Sequence, residues 1–235
     1  IDYLQRFFQP ILDLTEKYNI LQSAMASSER IFSVLDDKST IENPKKPVKI
    51  HNFKGKIEFK NVWFAYEKDN WVLKDVSFTI NPGETVAFVG ATGAGKSSII
   101  NLITRFYDIQ KGEILIDGIN IKEYDKYELR KLIGVVLQDV FLFTGTIEDN
   151  IRLNKKDISH EKIVEVAKYV NADHFINKLP NKYNEPVMER GSTLSSGERQ
   201  LLAFARTLAY DPKILILDEA TSNIDTETES LIQDA

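Results

Sequence analysis

Gly90-Ala91-Thr92-Gly93-Ala94-Gly95-Lys96-Ser97 reads G-x-x-x-x-G-K-S, and the rest of the chain is read outward from it. The apolar run Thr85-Val86-Ala87-Phe88-Val89 precedes it and predicts a buried strand. Ser98-Ile99-Ile100-Asn101-Leu102-Ile103 follows, with apolar residues at helical spacing. A strand, a glycine-rich turn and a helix in that order make a phosphate cradle, the P-loop. Glycines let the backbone curl so that its N–H groups face inward. The helix start adds partial positive charge. In such a loop Lys96 reaches the β- and γ-phosphates of a nucleotide, and the Ser97 hydroxyl takes Mg²⁺.

Composition narrows the field. The 235 residues are 43% apolar and 28% charged, as in an ordinary soluble globular protein. Net charge is −5 with no long basic run, which argues against nucleic acid as the main partner. Cysteine is absent, which excludes a disulfide framework and any thiolate site. No stretch has the length and apolarity to cross a bilayer, and no signal peptide opens the chain. The chain starts at Ile1 and ends at Ala235 within a helix-like pattern, as expected for a piece of a longer polypeptide.

Residues 1–35 have helical spacing, with Pro10 expected to kink or interrupt the first part. Two readings fit: a surface helix packed on its own domain, or the end of a helix belonging to another part. Residues 36–54, with Pro44-Lys45-Lys46-Pro47, predict a linker that either joins two moving bodies or trails over the surface. Residues 55–80 alternate as strands, and Asn81-Pro82-Gly83 turns the chain into the P-loop strand. Tyr66 follows a strand in a polar segment. Its ring is placed to stack on a base or to lie half-buried at the surface.

After the P-loop helix, Gly112-Glu113-Ile114-Leu115-Ile116-Asp117-Gly118 predicts a strand and tight turn. Ile133-Gly134-Val135-Val136-Leu137 predicts a buried strand ending at Gln138. A polar side chain there faces the ligand crevice of an open α/β sheet, so Gln138 ligates Mg²⁺, positions water, or simply begins a loop. Residues 147–180 read as a helical insert, in which His160 and His174 have no matching ligand set. Leu194-Ser195-Ser196-Gly197-Glu198 leads into a helix over 199–209, with Ser195 and Glu198 spaced as a capping box. The same small residues also expose N–H groups to an anion. A second phosphate site beside a P-loop makes sense if it serves a nucleotide held by another copy. Finally Lys213-Ile214-Leu215-Ile216-Leu217-Asp218-Glu219 predicts a buried strand ending in two carboxylates. Asp218 is placed to hold Mg²⁺ and Glu219 to polarise attacking water.

The order of residues 90–97, Gln138, 194–200 and 214–219 resembles the nucleotide-binding domain of exporter-type ABC transporters. Leu194-Ser195-Ser196-Gly197-Glu198-Arg199-Gln200 looks like that family's signature motif. Gln138 matches its Q-loop, Ser222-Asn223-Ile224-Asp225 its D-loop, and Tyr66 its adenine-stacking aromatic. Glu189-Arg190-Gly191 resembles the exporter motif that touches the membrane domain. The resemblance implies an α/β fold: a RecA-like P-loop NTPase core, an antiparallel β subdomain and a helical subdomain at about 139–209, with an N-terminal helical extension. It implies that 1–35 is the cytoplasmic end of the last membrane helix, 36–54 a linker and 55–235 the nucleotide-binding domain, truncated at its C-terminus. The implied ligands are ATP and Mg²⁺. Tyr66, the loop residues Gly90 to Ser97, and Ser98 would hold ATP. Ser195, Ser196, Gly197 and Glu198 would cover the ATP of a second nucleotide-binding domain. Ser97, Gln138 and Asp218 would hold the metal, and Glu219, Gln138 and Lys96 would carry catalysis. Head-to-tail closure of two domains would then drive transport through a membrane domain, with this chain at the cytoplasmic face of the cell membrane and no part for nucleic acid.

Departures from the family pattern are Ser196 for Gly, Glu198 for Gln, Asn223-Ile224 for Ala-Leu, and Met188 for Gly. They are similar to those of heterodimeric multidrug exporters and favour an unlike partner over an identical one. The family's switch histidine would fall beyond Ala235, and neither His51, His160 nor His174 can replace it. These 235 residues alone are thus expected to bind MgATP, hydrolyse it weakly and have low stability. The competing readings are a soluble ABC-type ATPase acting on nucleic acid or ribosomes, and a P-loop kinase. The first calls for basic surfaces or a second nucleotide domain; the second leaves 194–200 without a purpose.

Overall fold

The computed structural model describes residues 2–37, 41–153, 155 and 157–218. Two compact units divide the chain, Ile1–Glu42 and Asn43–Ala235. The first is built on one long helix, α1 (Asp2–Leu35). Pro10 lies inside it and does not interrupt it, contrary to expectation. On an exposed helix, solvent can serve the carbonyl that proline leaves without a donor. Among the described residues, no helix is long and apolar enough to cross a membrane.

The second unit opens on an antiparallel sheet. Strands β1 (Ile57–Ala65), β2 (Trp71–Ile80), β3 (Lys111–Ile116) and β4 (Ile119–Asn120) lie in the order β2-β1-β3-β4. In β1 the period-two signal of the sequence appears as two offset pairs, Ile57/Phe59 and Val62/Phe64, all buried, with a register shift between them. Helix α2 (Lys96–Ile103) adds Ile99, Leu102 and Ile103 to the same apolar cluster. The two carbonyls just past its end accept from Arg130, at 2.9 Å for Thr104 and 2.6 Å for Arg105. Arg130 belongs to α3 (Lys126–Lys131), capped at Asp125.

Residues 43–56 are tied to the segments that follow β3 and β4. Asn43 donates to Asp125 and accepts from the Lys126 amide. The Val48 amide donates to the Glu123 carbonyl. Asp117, at φ 51° in the turn after β3, accepts from the amides of Lys54, Gly55 and Lys56.

Strands β5 (Ile133–Val136) and β8 (Ile214–Leu217) pair in parallel, register Ile133 with Ile214. Between them in sequence comes the helical part. It holds the small ladder of β6 (Gly145–Thr146) and β7 (Pro186–Val187), and helices α4 (Ile147–Arg152), α5 (His160–Tyr169), α6 (Asp173–Ile176) and α7 (Ser196–Ala209). These helices bury a second apolar cluster, centred on Ile147, Ile151, Ile163, Ile176 and Leu202.

Two expectations are corrected. Residues 85–89 form no strand, and Val89 is 94% exposed. An apolar run becomes a strand only where its amides and carbonyls find a ladder, and no described strand pairs with it. Strand β8 is half-buried rather than buried. Ile214 and Ile216 pack on the sheet cluster while Leu217 is 50% exposed. Among the described residues β8 has only β5 beside it, so one face stays open.

Candidate functional site

The P-loop runs into α2 through Gly95, at φ 90° and ψ 11°. Gly93 has φ 85°, also left-handed. At Gly95 a methyl group would stand 2.7 Å from Leu73 Cδ2, so both conformation and space call for glycine. Helix α2 starts with no side-chain cap and no acidic residue in its first turn. An uncapped positive end of this kind suits a phosphate. The Lys96 ammonium donates to the Gly90 carbonyl at 2.8 Å, across the mouth of the loop. Ala91, Thr92, Gly93 and Ala94 are exposed, and the Ala94 amide closes a turn on the Ala91 carbonyl at 3.0 Å.

Tyr66 stands beside this helix. Its hydroxyl lies 3.1 Å from Ser98 Oγ and accepts from Asn101 Nδ2 at 3.1 Å. Phe64 and Tyr107 meet its ring edge to face, with centroids 4.7 and 4.9 Å away. The ring remains 47% exposed. Asn101, which the motif pattern does not single out, lies one helical repeat after Ser97 and Ser98 and so reaches the same ring.

Asp218 follows directly on the end of β8, and Gln138 comes two residues after the end of β5. Val136 is in register with Leu217, and the Asp218 amide donates to the Val136 carbonyl at 2.9 Å. The two side chains therefore stem from neighbouring points at the carboxyl end of one parallel pair. Hydroxyl, amide and carboxylate oxygens from Ser97, Gln138 and Asp218 are the hard donors that Mg²⁺ prefers, so the residue types fit the ion. Glu219 and the stretch 222–225 lie outside the described residues.

Ser195, Ser196 and Gly197 stand at the head of α7, whose main packing partners are α4, α5 and β5. The capping box is formed. Ser195 Oγ accepts from the Glu198 amide at 3.2 Å, and the Glu198 carboxylate accepts from the Ser195 amide at 2.8 Å. Glu198 thus turns its charge onto the helix end. Ser195 and Ser196 remain exposed. In the turn before α7, Arg190 and Gly191 have φ 57° and 67°.

At the other end of α7, Arg206 ties the helix to the segment after Gln138. It donates to the Asn150 carbonyl at 2.8 Å, the Phe141 carbonyl at 3.0 Å and Asn150 Oδ1 at 3.2 Å. Asn150, itself buried, exchanges bonds with both main-chain groups of Phe143. Nothing in the sequence pattern marks this pair, whose members are 56 positions apart.

Comparison with known proteins agrees with this geometry. A family model described as "ABC transporter" matches residues 73–222. The chain is 52% identical over its full length to a probable multidrug resistance ABC transporter ATP-binding/permease protein, YheH, of Bacillus subtilis (strain 168), and covers 35% of that protein. It is 42% identical over 97% of its length to an ATP-dependent lipid A-core flippase of Syntrophus aciditrophicus (strain SB), covering 38% of it. The fold matches a solved structure of a bacterial Atm1-family ABC exporter with ATP bound. The TM-score is 0.81 at 38% identity, over 98% of this chain and 41% of the other. The chain therefore spans well under half the length of these relatives, and its architecture is that of a P-loop NTPase nucleotide-binding domain. Matched by that model over more than half its residues, the chain belongs to the ABC transporter family.

Proposed function

We propose that this chain is the ATP-binding and ATP-hydrolysing motor of a membrane exporter. The observation that carries the reading is the tie between Tyr66 and α2. One helix begins at the phosphate cradle and holds, one turn later, the ring suited to adenine. Base and triphosphate are then gripped by a single rigid element.

In this reading the Lys96 ammonium leaves the Gly90 carbonyl for the β- and γ-phosphates, and the Ala91 to Ser97 amides surround the phosphate oxygens. Ser97, Gln138 and Asp218 would hold Mg²⁺, which when bound would neutralise charge on the phosphates. Glu219 orients and deprotonates the attacking water. Ser195, Ser196 and Gly197 at the head of α7 cover a nucleotide bound by a second such domain, identical or different. The exposed position of the two serines supports this. Closure and reopening of the pair moves a membrane domain from its cytoplasmic side. The relatives' names, which join ATP-binding and permease parts in one protein, support that partner. A polypeptide of these 235 residues alone would turn ATP over slowly for want of the switch histidine.

The test is made on the intact protein. Lys96→Ala should weaken ATP binding at least tenfold, about 1.4 kcal/mol, through loss of a charged contact. Glu219→Gln should retain binding and lose turnover. Unchanged affinity in the first, or unchanged turnover in the second, overturns the reading.

A further inference from the structure

Strand β1 ends at Ala65, one residue before Tyr66, and Ala65 is buried. A buried main-chain N–H and C=O both need partners. At this point β3 no longer runs alongside: its last paired residue is Lys111, in register with Trp63. The side chain of Gln110 takes the place of the missing strand. Its Oε1 accepts from the Ala65 amide at 3.0 Å, and its Nε2 donates to the Ala65 carbonyl at 2.9 Å. Only one orientation of the amide satisfies both groups; the other would set donor against donor.

The root of that side chain is also fixed. The Gln110 amide donates to the Trp63 carbonyl at 3.2 Å. Its neighbour Lys111 holds its ammonium over the rings of Trp63 and Trp71, 5.4 and 5.5 Å from their centroids. Gln110 is therefore a preset clamp on the β3 side of Ala65, the last residue of β1, whose other side faces Trp71 of β2; the next residue along is Tyr66.

We propose that Gln110 is a positioning residue for base binding. By completing the ladder at Ala65 it fixes the backbone from which the Tyr66 ring projects, and so sets affinity for the adenine end of the nucleotide. The proposal rests on the reading of Tyr66 as the adenine-stacking ring. Preorganisation explains the effect: without the clamp the strand end frays, and binding must order it again. Glutamine is suited because it carries a donor and an acceptor. Glutamate keeps the acceptor for the Ala65 N–H and places a negative oxygen against the carbonyl. Alanine supplies neither.

The experiment is a titration of the intact protein with ATP and, separately, with inorganic tripolyphosphate, in the presence of Mg²⁺. The variants are Gln110→Ala, Gln110→Glu, Tyr66→Ala and the pair Tyr66→Ala with Gln110→Ala. Gln110→Ala is expected to weaken ATP binding roughly threefold to tenfold, as the loss of one or two modest hydrogen bonds implies. Gln110→Glu should fall between wild type and alanine, and it supplies the measurement should Gln110→Ala fail to fold. Tripolyphosphate, which has no base, should bind the Gln110 variants as it binds the wild type. In the Tyr66→Ala background the Gln110 change should have no further effect on ATP. Loss of tripolyphosphate binding in step with ATP overturns the proposal, and so does an undiminished Gln110 effect when Tyr66 is absent. If Tyr66→Ala leaves ATP affinity unchanged, the adenine reading itself falls, and the role of Gln110 with it. If Tyr66→Ala weakens ATP while neither Gln110 variant does, the adenine reading stands and the clamp is refuted.

Discussion

Replacing Arg206 by methionine keeps an unbranched stem in place of the arginine methylenes while removing every donor. Arg206 serves three acceptors: the Asn150 carbonyl, the Asn150 amide oxygen and the Phe141 carbonyl. Hydrogen bonds to a charged group contribute about 1.5–3 kcal/mol each, so simple addition would give roughly 5–9 kcal/mol. Two effects reduce that figure. Burial opposes the guanidinium's charge, lowering its pKa from the ordinary arginine value, so removing the charge returns part of the cost. Phe141 is half exposed, so solvent can replace its lost donor. On buried Asn150, Oδ1 keeps the Phe143 amide as a donor, while the carbonyl loses the Arg206 donor away from solvent. A net loss of about 2–3 kcal/mol follows. For a unit of this size that lowers the unfolding midpoint by about 4–12 °C. Thermal unfolding followed by near-ultraviolet circular dichroism measures the loss, and a cycle with Asn150→Ala apportions it. The double variant should be less destabilised than the sum of the singles, with a coupling of about 1 kcal/mol or more. Additive losses, or a midpoint for Arg206→Met within a degree of wild type, would refute the clamp between α7 and the segment after Gln138.

Gly112→Ala should be among the most damaging single changes in the sheet. Its methyl group would meet the main-chain oxygens of Asn61 and Lys60 at 2.2 and 2.5 Å, and φ is 86°. Neither backbone can move without breaking the β1–β3 ladder, so a loss of about 4 kcal/mol or more is expected in urea denaturation; a loss under 1 kcal/mol would count against the drawn register. Tyr124 predicts an alkaline effect. Its buried hydroxyl donates to the Ile116 carbonyl at 2.8 Å, and burial first, then Asp117 and Glu123, push its pKa from 10.0 up to about 12. A raised folded-state pKa means the contribution is whole below about pH 10 and disappears as pH rises through about 12. Wild type should therefore lose on the order of 2 kcal/mol more than Tyr124→Phe between pH 9 and pH 12. Equal losses measured by denaturant midpoints at those pH values would exclude the assignment. Tyr183 and Tyr210, also raised by burial, act in the same direction in both proteins.

What could be read from sequence was what depends on neighbours along the chain. The cradle is legible because a backbone that must surround phosphate needs its glycines within a few contiguous positions, and Gly93 and Gly95 have the left-handed φ that this demands. The capping box is legible because Ser195 and Glu198 satisfy each other across a single turn. Period-two alternation located β1 and β2, although in β1 the buried pairs Ile57/Phe59 and Val62/Phe64 are offset by an irregularity, and in β2 only Leu73 is fully buried. Residues 85–89 misled for a physical reason: apolarity states that a segment gains by burial, not that partners stand ready beside it.

The parts that escaped are long-range. Asn150 and Arg206 meet across 56 positions, Ala65 and Gln110 across 45. Their donors and acceptors follow no period, and neither glutamine nor asparagine announces a partner. This difference has a consequence for how affinity can vary within the family. In the proposed reading the phosphates would be held by main-chain amides in one short loop, so few side-chain changes could tune that contact without destroying the loop's conformation. In the same reading the base would be held from β1, α2 and the entry to β3, where Tyr66, Ser98, Asn101 and Gln110 are joined by hydrogen bonds. Each of those side chains can change while the cradle is left intact. Differences in nucleotide affinity between this chain and its relatives should therefore track residues 98, 101 and 110 more closely than residues 90–97. Exchanging those three positions with a relative's residues, and measuring ATP against tripolyphosphate, separates the two grips: the exchange should move the first affinity and leave the second.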